Sequence, residues 1–441
     1  TPSPGTEIVL QLAFAAFVLA WIWLDRGAAD HSAADRLVFP LVAVVLIVPA
    51  VQLVPLPPSV WQALPGRADQ LAALELVGAA DTWRPIALSP SRTLASLLAM
   101  VPAALCIYAV ATLTLGERRL VLLTIVVIAV ASGLLGMVQL LAGGEGANFY
   151  RVFSRGWVTG FQANRNSQAD VLLIALLALA ALVASRSAAA SGQDLKGKSS
   201  IMLAATVGVF FLAALLLTGS RAGIALAVPA LAIAGLMLVP SLDNEKSGRL
   251  ASLATVAVLP LIVALMVGAS ALFGSVPVGR ALSRFSDLEG QRLDVWQDTM
   301  FAIAQYWPVG VGMGGFPPTI LAAERLEAVD NTFPNRAHNE YLEIALESGV
   351  IGYLAVAVAA ALIVAMAMRS WRRVPPMRRQ ILFGLGALMV IGLHSVVDYP
   401  LRSMALAVLA GVAAGMIARP GRRASETRTV EGQPEMSKGF L

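Results

Sequence analysis

The chain has 441 residues, of which 58% are apolar and only 13% are charged. Its long, nearly uncharged runs match the roughly 30 Å hydrocarbon core of a bilayer, which excludes an ordinary water-soluble domain. The formal charge of +5 comes from basic residues scattered between these runs, so we expect no nucleic-acid partner. The single cysteine, Cys106, lies within an apolar run and excludes a disulfide framework.

Apolar runs bounded by charge, glycine or proline predict eleven membrane-spanning helices. They lie near residues 7–24, 37–54, 93–113, 119–142, 169–185, 201–218, 222–239, 251–273, 349–368, 380–396 and 403–418. The predicted fold class is therefore an all-α polytopic membrane protein. The alternation of eleven spans places Thr1 on the outer side, and the sequence begins without methionine, so we expect a twelfth span upstream in the native protein.

The distribution of positive charge predicts the orientation of these spans. The connection 369–379 carries five arginines, and the segment after the last span opens with Arg419, so both are expected on the cytoplasmic side. Alternation of the spans then places all four lysines on that same side, which is an independent check. The topology divides the chain into four parts. Transmembrane helices are predicted in 1–273, with outward loops at 55–92 and 143–168, and a large outward loop at 274–348 is expected to carry the catalytic elements. Further transmembrane helices are predicted in 349–418, followed by a disordered cytoplasmic tail at 419–441.

His338, near the end of the large loop, is the first candidate for chemistry. It is expected to open the helix that leads into the ninth span, with Asn335 and Asn339 flanking its start. At 100° per residue, Gly349 and Gly352 return to nearly the same face, which places two small residues below the imidazole. A lone histidine is more often structural than catalytic, so both interpretations stay open at this point.

Thirteen arginines and no lysine fall on the predicted outer side. Arginine's fork of donors suits phosphate and pyrophosphate, so an anionic substrate is expected there, although the arginine-rich composition explains many of these residues equally well. Arg221 lies in the turn 218–223 between two spans, where a cation either binds an anion or anchors in the headgroups. Others in this set are Arg67, Arg84, Arg151, Arg155, Arg165, Arg280, Arg284, Arg292 and Arg336.

Three further features are weaker candidates. The glycine cluster 310–315 resembles a phosphate loop but lacks a preceding strand, so a flexible re-entry loop is expected. Asp287 and Glu289 are too few ligands for a divalent ion, so we expect no metal. His394 and Asp398 share the outer end of the tenth span, either as a packing pair or as part of the site.

Several stretches resemble the O-antigen ligase family. His338-Asn339 is followed, after nine residues, by Gly349-Val350-Ile351-Gly352, which matches the family signature His-[Asn/Ser/Gln]-x9-Gly-x-x-Gly. The turn Thr218–Gly223 is similar to the family's Ser-Arg-Ala-Gly turn, and Gln291–Trp296 resembles the arginine-bearing segment that opens its large periplasmic loop. Looser similarities lie at Gln52–Pro57, Gly160–Asn166 and His394–Pro400.

The resemblance implies a GT-C-like, inverting and metal-independent glycosyltransferase of the bacterial inner membrane, with its active site facing the periplasm. The implied donor is a glycan on undecaprenyl pyrophosphate, and the implied acceptor is lipid A-core oligosaccharide, so the expected product is lipopolysaccharide carrying O-antigen. The superfamily also contains O-antigen polymerases and protein O-oligosaccharyltransferases, which are the nearest alternatives. The chain lacks the extra C-terminal periplasmic region of many protein-glycosylating members, which favours the lipid acceptor. A lipid-linked oligosaccharide flippase is the alternative from another class.

Carried onto this sequence, the resemblance implies the site residues. His338 is expected to act as general base, and Arg221 and Arg292 are expected to bind the pyrophosphate. Substrate contacts are expected from Asn339, Arg165, Asn166, Arg336, Asp398, Gly349 and Gly352. No cofactor is expected, and membrane lipids are the remaining partners.

Overall fold

A computed structural model describes residues 4–24, 29–30, 35–142, 150, 156–187, 195–239, 289–327, 329, 333–420 and 422–423. Within these ranges the chain is almost entirely α-helical, which confirms the all-α class. Ten of the eleven predicted spans coincide with helices, and the remaining one, 251–273, lies outside the described residues.

The first part of the chain forms α1 (Pro4–Leu24), α2 (Val38–Gln52), α3 (Pro58–Trp61), α4 (Ala68–Leu76), α5 (Pro90–Thr112), α6 (Leu115–Leu141), α7 (Arg165–Ser187), α8 (Leu195–Thr218) and α9 (Arg221–Leu238). The later part forms α10 (Glu289–Tyr306), α11 (Phe316–Ala323), α12 (Glu340–Arg373), α13 (Arg378–His394) and α14 (Met404–Ile417), with 3-10 turns at Pro375–Met377 and Pro400–Arg402. Two-residue strands pair antiparallel as β1 (Ala29–Asp30) with β4 (Arg422–Arg423) and β2 (Pro55–Leu56) with β3 (Arg84–Pro85).

Six helices in the described part, α5 to α9 and α12, are long and apolar enough to cross a membrane. Local sequence sets the boundaries of these helices. α5 begins with Pro90, whose fixed φ suits a first helical turn. α6 follows after only two residues because Thr114 and Glu117 form a capping box, in which each side chain binds the other's backbone amide.

Two helices are the centres of the bundle. α7 is the most buried of the six long apolar helices in the described part of the chain, and it packs against α6, α8, α9 and α13. α5 packs against α1, α2 and α14, while α13 and α14 contact each other and join the two groups. α12 lies across α2, α13 and α14. One end of the bundle carries His338, and we refer to it as the His338 end.

The glycine cluster 310–315, at the His338 end, is not the flexible loop that its composition predicts. The amide of Gly312 donates to the carbonyl oxygen of Glu347 at 2.9 Å, and the amide of Met313 donates to Oε1 of Gln52 at 2.9 Å. The cluster is therefore held between α2 and α12, and these amides are not available to a phosphate.

The predicted stripe of His338, Gly349 and Gly352 along one helix is wrong. His338 precedes α12, and Gly349 interrupts the helix with φ 54° and ψ −140°. The interruption follows from close packing, because the carbonyl of Pro308 occupies the space that a side chain at Gly349 needs and accepts a hydrogen bond from the amide of Val350 at 3.0 Å. Gly349 thus accommodates a neighbouring loop rather than a helix or a lipid chain.

Candidate active site

His338 has an unusual backbone conformation immediately before α12. Its φ is +52°, which is uncommon for a residue with a side chain and generally costs about 1–3 kcal/mol. Oδ1 of Asn339 caps the helix by accepting hydrogen bonds from the amides of Tyr341 and Leu342, at 3.0 and 3.1 Å. The cap at Asn339 therefore begins the helix one position after the histidine, and the imidazole does not belong to a helical face.

The His338 imidazole contacts a buried carboxylate. Its Nδ1 lies 3.3 Å from Oδ1 of Asp398, whose side chain is only 5% exposed, whereas the histidine side chain is 36% exposed. Oδ2 of Asp398 accepts a hydrogen bond from Nδ2 of Asn166 at 2.6 Å, and the ring of Tyr399 packs edge-on against the imidazole. With Nδ1 turned toward a carboxylate, Nε2 is the nitrogen left to act on a substrate.

The environment of Asp398 favours its ionised form. Burial on its own raises the pKa of this carboxyl, but the contact with His338, the charge of His394 and the hydrogen bond from Asn166 outweigh it, so the pKa lies below its ordinary value. The residue beside Nδ1 is therefore an anion, which can fix the orientation of the imidazole.

A second histidine and aspartate lie behind the first. Nδ1 of His394 lies 2.6 Å from Oδ1 of Asp170, and each side chain is 1% exposed. The carbonyl oxygen of His394 also accepts a hydrogen bond from the amide of Asp398 at 2.9 Å. The sequence pairs His394 with Asp398, whereas the structure pairs each with a partner from another segment. Asp170 was not predicted, although an acid within an apolar span is a signal of a special role.

Arg402 is another residue that sequence reasoning did not single out. Its guanidinium lies 2.7 Å from Oε2 of Glu347, 3.2 Å from Oε2 of Glu343 and 3.9 Å from Oε1 of Glu340. These glutamates share one face of α12 because they are spaced by three and four residues. Burial on its own lowers the pKa of Arg402, but the three carboxylates raise it by more, so this arginine stays protonated. The cluster fixes α12 against the segment that carries Asp398.

Arg336 joins the edge of this cluster. Its Nη1 lies 3.2 Å from Oε2 of Glu343, and Oε1 of the same glutamate accepts a hydrogen bond from the amide of Ala337 at 2.9 Å. Glu343 therefore holds the two residues that precede His338.

A separate group of residues brings Arg165 near the turn that precedes α9. The guanidinium of Arg165 lies 4.7 Å from the centre of the Trp157 ring. The same ring packs against Gly219, which has φ +60° and no room for a side chain. Ser220 then caps α9 by accepting a hydrogen bond from the amide of Gly223, so Arg221 is the first residue of the helix. Since Asn166 follows Arg165 directly, this group adjoins the residues that hold Asp398.

The position of Arg292 is described only through its backbone, on α10. Trp296, one turn later, donates from Nε1 to the carbonyl oxygen of Ala337 at 2.8 Å, which holds α10 against the residue before His338. The structure therefore brings the helix of Arg292 next to the imidazole.

Of the remaining outer arginines named above, two lie within the described residues and make contacts within the protein. Arg67 is buried, and its Nη2 donates to the carbonyl oxygens of Ile86 and Gly310, at 2.5 and 3.3 Å. Burial lowers the pKa of Arg67 to about 10, and its contacts are structural. Nε of Arg84 donates to Oγ1 of Thr82 at 3.2 Å. Outside the described residues lie Arg151, Arg155, Arg280 and Arg284.

No group of three or more histidine, cysteine, aspartate or glutamate side chains within the described ranges is arranged to hold a metal ion. Asp287 lies outside those ranges, and Glu289 is described only as the first residue of α10.

Comparison with known families supports the resemblance seen in the sequence. Residues 206–357 match the family model described as O-Antigen ligase, a range that includes Arg221, Arg292, His338, Gly349 and Gly352. No curated protein matches the chain. The matched family contains membrane glycosyltransferases of the O-antigen ligase and polymerase type, which act on lipid-linked glycans. The motif around His338 and this match support membership of the O-antigen ligase/polymerase superfamily, and the long apolar helices are those of a multi-pass membrane protein.

Proposed function

We propose that this protein transfers O-antigen polysaccharide from undecaprenyl pyrophosphate to lipid A-core oligosaccharide at the periplasmic face of the bacterial inner membrane. The observation that carries the proposal is the pairing of a partly exposed imidazole, His338, with the buried carboxylate of Asp398. This is the arrangement that a general base needs, since one nitrogen is held by an anion and the other is free to accept a proton.

In the proposed reaction, Nε2 of His338 removes the proton from an acceptor hydroxyl while its oxygen attacks the anomeric carbon of the donor sugar. The new glycosidic C–O bond forms as the bond between that carbon and the pyrophosphate oxygen breaks, which inverts the configuration. The proton stays on the imidazole, where the charge of Asp398 stabilises it, and undecaprenyl pyrophosphate leaves. General-base assistance of this kind contributes about 10²–10⁴-fold to a rate.

The arginines are proposed to stabilise the leaving group. Arg221 and Arg292 would contact the pyrophosphate, and Arg165 would add a third cation from its position on the Trp157 ring. This proposal is supported by the placement of α10 and of the 156–166 segment beside the residues that hold His338. Pyrophosphate is already a good leaving group, and guanidinium groups neutralise its charge, so the chemistry does not require a metal ion.

The other residues proposed for the site orient the imidazole, reach the substrate or shape the site. Asn166 and Asp398 would orient the imidazole, and Arg336 would reach substrate from the segment before it. Asn339, Gly349 and Gly352 were predicted to contact substrate. Asn339 caps α12 and Gly349 packs against Pro308, so we propose that these residues shape the site rather than bind in it.

The test is transfer in vitro with a defined undecaprenyl-pyrophosphate glycan and two competing acceptors, lipid A-core and a second donor molecule. We expect product on lipid A-core, no product with His338→Ala, and full activity in EDTA. A lengthened polyprenyl-linked chain as the product would identify a polymerase instead. Movement of the donor across a vesicle membrane without formation of a glycosidic bond would support the flippase alternative.

His338→Gln separates the general-base role from a structural one, because glutamine can occupy a similar space but cannot accept the proton. Wild-type activity of purified His338→Gln would rule out the mechanism. A strict requirement for added Mg²⁺ would return Asp287 and Glu289 to consideration as ligands.

A further inference from the structure

His338 is the only residue other than glycine that has a positive φ in the part of the chain that the structure describes. In this left-handed conformation a side chain crowds a backbone carbonyl oxygen, so the conformation persists only where the surrounding structure imposes it. The same residue carries the proposed general base. The contacts that impose the backbone conformation therefore also set the direction of the imidazole.

The indole of Trp296 contacts the peptide unit that joins Ala337 to His338. Its Nε1 donates a hydrogen bond to the carbonyl oxygen of Ala337 at 2.8 Å. Rotation about φ of His338 turns this planar peptide unit relative to the Cα atom of the histidine. A donor fixed at the carbonyl oxygen therefore restrains φ of His338. Because Trp296 belongs to α10, the restraint comes from a different element of the fold.

The chain on either side of His338 is also held in place. Ala337 is fully buried in an apolar cluster with residues of α10, α11 and α12, and its amide donates to Oε1 of Glu343 at 2.9 Å. After the histidine, the amide of Glu340 donates to the carbonyl oxygen of Ser395 at 2.9 Å. Neither flank can shift to relieve the strain, so the left-handed conformation is confined to His338.

We propose that Trp296 is a positioning residue, which holds His338 in the left-handed conformation through the Ala337 peptide unit and so directs Nε2 toward the acceptor hydroxyl. The part that concerns the acceptor rests on the proposed function. Trp296 lies one helical turn after Arg292 on α10. One helix therefore supplies both a cation proposed for the leaving group and the hydrogen bond that orients the base. Loss of that bond should slow the chemical step without weakening donor binding.

Glycine and alanine at position 338 report on the backbone conformation. Both substitutions remove the imidazole and its contact with Asp398, so the two variants differ only in the Cβ atom. Glycine is favoured over alanine at a positive φ, and alanine is favoured where φ is negative. If Trp296 imposes the conformation, His338→Gly is more stable than His338→Ala only while the indole is present.

Trp61 provides a matched control for the loss of an indole donor. Its Nε1 donates to the carbonyl oxygen of Thr82 at 3.0 Å, between α2 and α5. Trp61→Phe and Trp296→Phe each keep an aromatic side chain and remove one hydrogen bond of the same type. Only the second of these bonds involves the peptide unit before His338.

The experiment measures the apparent Tm of the purified full chain with His338→Gly or His338→Ala, each alone and combined with Trp61→Phe or Trp296→Phe. Alone and with Trp61→Phe, we expect the glycine variant to unfold about 2–4 °C above the alanine variant. With Trp296→Phe this advantage should disappear. An equal advantage in all three backgrounds would overturn the proposal, because Trp296 would then stabilise the protein without setting φ.

Selective isotope labelling of histidine provides a second measurement that tolerates an unstable variant. The chain has three histidines, so the Cα signal of His338 can be assigned by its loss in His338→Ala. Since this chemical shift depends on φ and ψ, it should move in Trp296→Phe and stay in place in Trp61→Phe. An unmoved signal in Trp296→Phe would contradict the proposal.

Kinetics separate this role from an effect on donor binding. With His338 intact, Trp296→Phe should lower kcat at least about tenfold and leave the KM for the donor within about threefold of wild type. A higher KM with unchanged kcat would assign Trp296 to donor binding instead. The melting and labelling measurements involve no substrate, so they test the role of Trp296 even if transfer to lipid A-core is not found.

Discussion

Nδ1 of His338 lies 3.3 Å from Oδ1 of Asp398, although the two residues belong to different segments at the ends of α12 and α13. The carboxylate is almost fully buried and the imidazole is partly exposed. In this arrangement the aspartate can fix the orientation of the ring and stabilise its protonated form, and it does not need to contact the substrate.

Asp398→Asn should lower the rate of transfer by about 10²–10⁴-fold with little change in the KM for the donor. An amide occupies nearly the same volume, but it cannot stabilise the imidazolium and can hold the ring in the wrong tautomer. Initial rates with saturating acceptor provide the measurement. Asn166→Ala, which removes only the second contact of Asp398, should have a smaller effect. A turnover number for Asp398→Asn within threefold of wild type would contradict the proposed role.

Asp398 should also contribute to stability in a way that depends on pH. Its pKa is lower in the folded protein than in a free aspartate. At a pH between these two pKa values, the folded state therefore binds fewer protons than the unfolded state. The contribution is therefore complete above the ordinary pKa of about 3.9 and is lost as the pH falls through the folded-state pKa. We expect the apparent Tm of the wild type in detergent to fall more steeply below about pH 4 than that of Asp398→Asn. Parallel curves for the two proteins would count against a depressed pKa.

Much of the fold could be predicted from the sequence, because a span needs only a sufficiently long apolar run. Partners of buried polar residues could not be predicted in the same way. His394 and Asp398 are four residues apart, a spacing that predicts that they pair with each other. In the structure His394 contacts Asp170 of α7, and Asp398 contacts His338. These contacts depend on how α7 packs against α13, and local spacing carries no information about that packing.

The acidic side of the Arg402 cluster is predictable from local spacing. Glu340, Glu343 and Glu347 follow a helical spacing that places three acids on one face of α12 next to an apolar run, and such a face needs a cation. The break in the helix at Gly349 could not be predicted from local sequence, because it depends on the approach of Pro308 from another segment. Motif spacing predicts His338 as a site residue at the start of a helix, whereas the cap at Asn339 shows that this residue precedes the helix.

The Asp170–His394 pair should be important mainly for stability. Removing one member of a buried hydrogen-bonded pair leaves the other without its partner and typically costs about 1–3 kcal/mol. We expect Asp170→Asn and His394→Gln each to lower the apparent Tm strongly, and the double variant to lose less than the sum of the two. Transfer by the single variants should be reduced less than by Asp398→Asn. Additive losses in the double variant would show that the 2.6 Å contact does not couple the two residues.

Arg402→Met should destabilise the His338 end of the bundle, because it leaves Glu340, Glu343 and Glu347 without their shared cation. Breaking a buried charge cluster typically costs about 3–5 kcal/mol, so a large decrease in apparent Tm is expected. Arg325→Met is the matched control. Arg325 also contacts two carboxylates, Asp294 and Asp298, but its side chain is 44% exposed compared with 15% for Arg402. Solvent and salt screen exposed pairs, so the control should unfold close to the wild-type temperature. Equal decreases in the two variants would mean that the number of ionic contacts, rather than their burial, determines the contribution of Arg402.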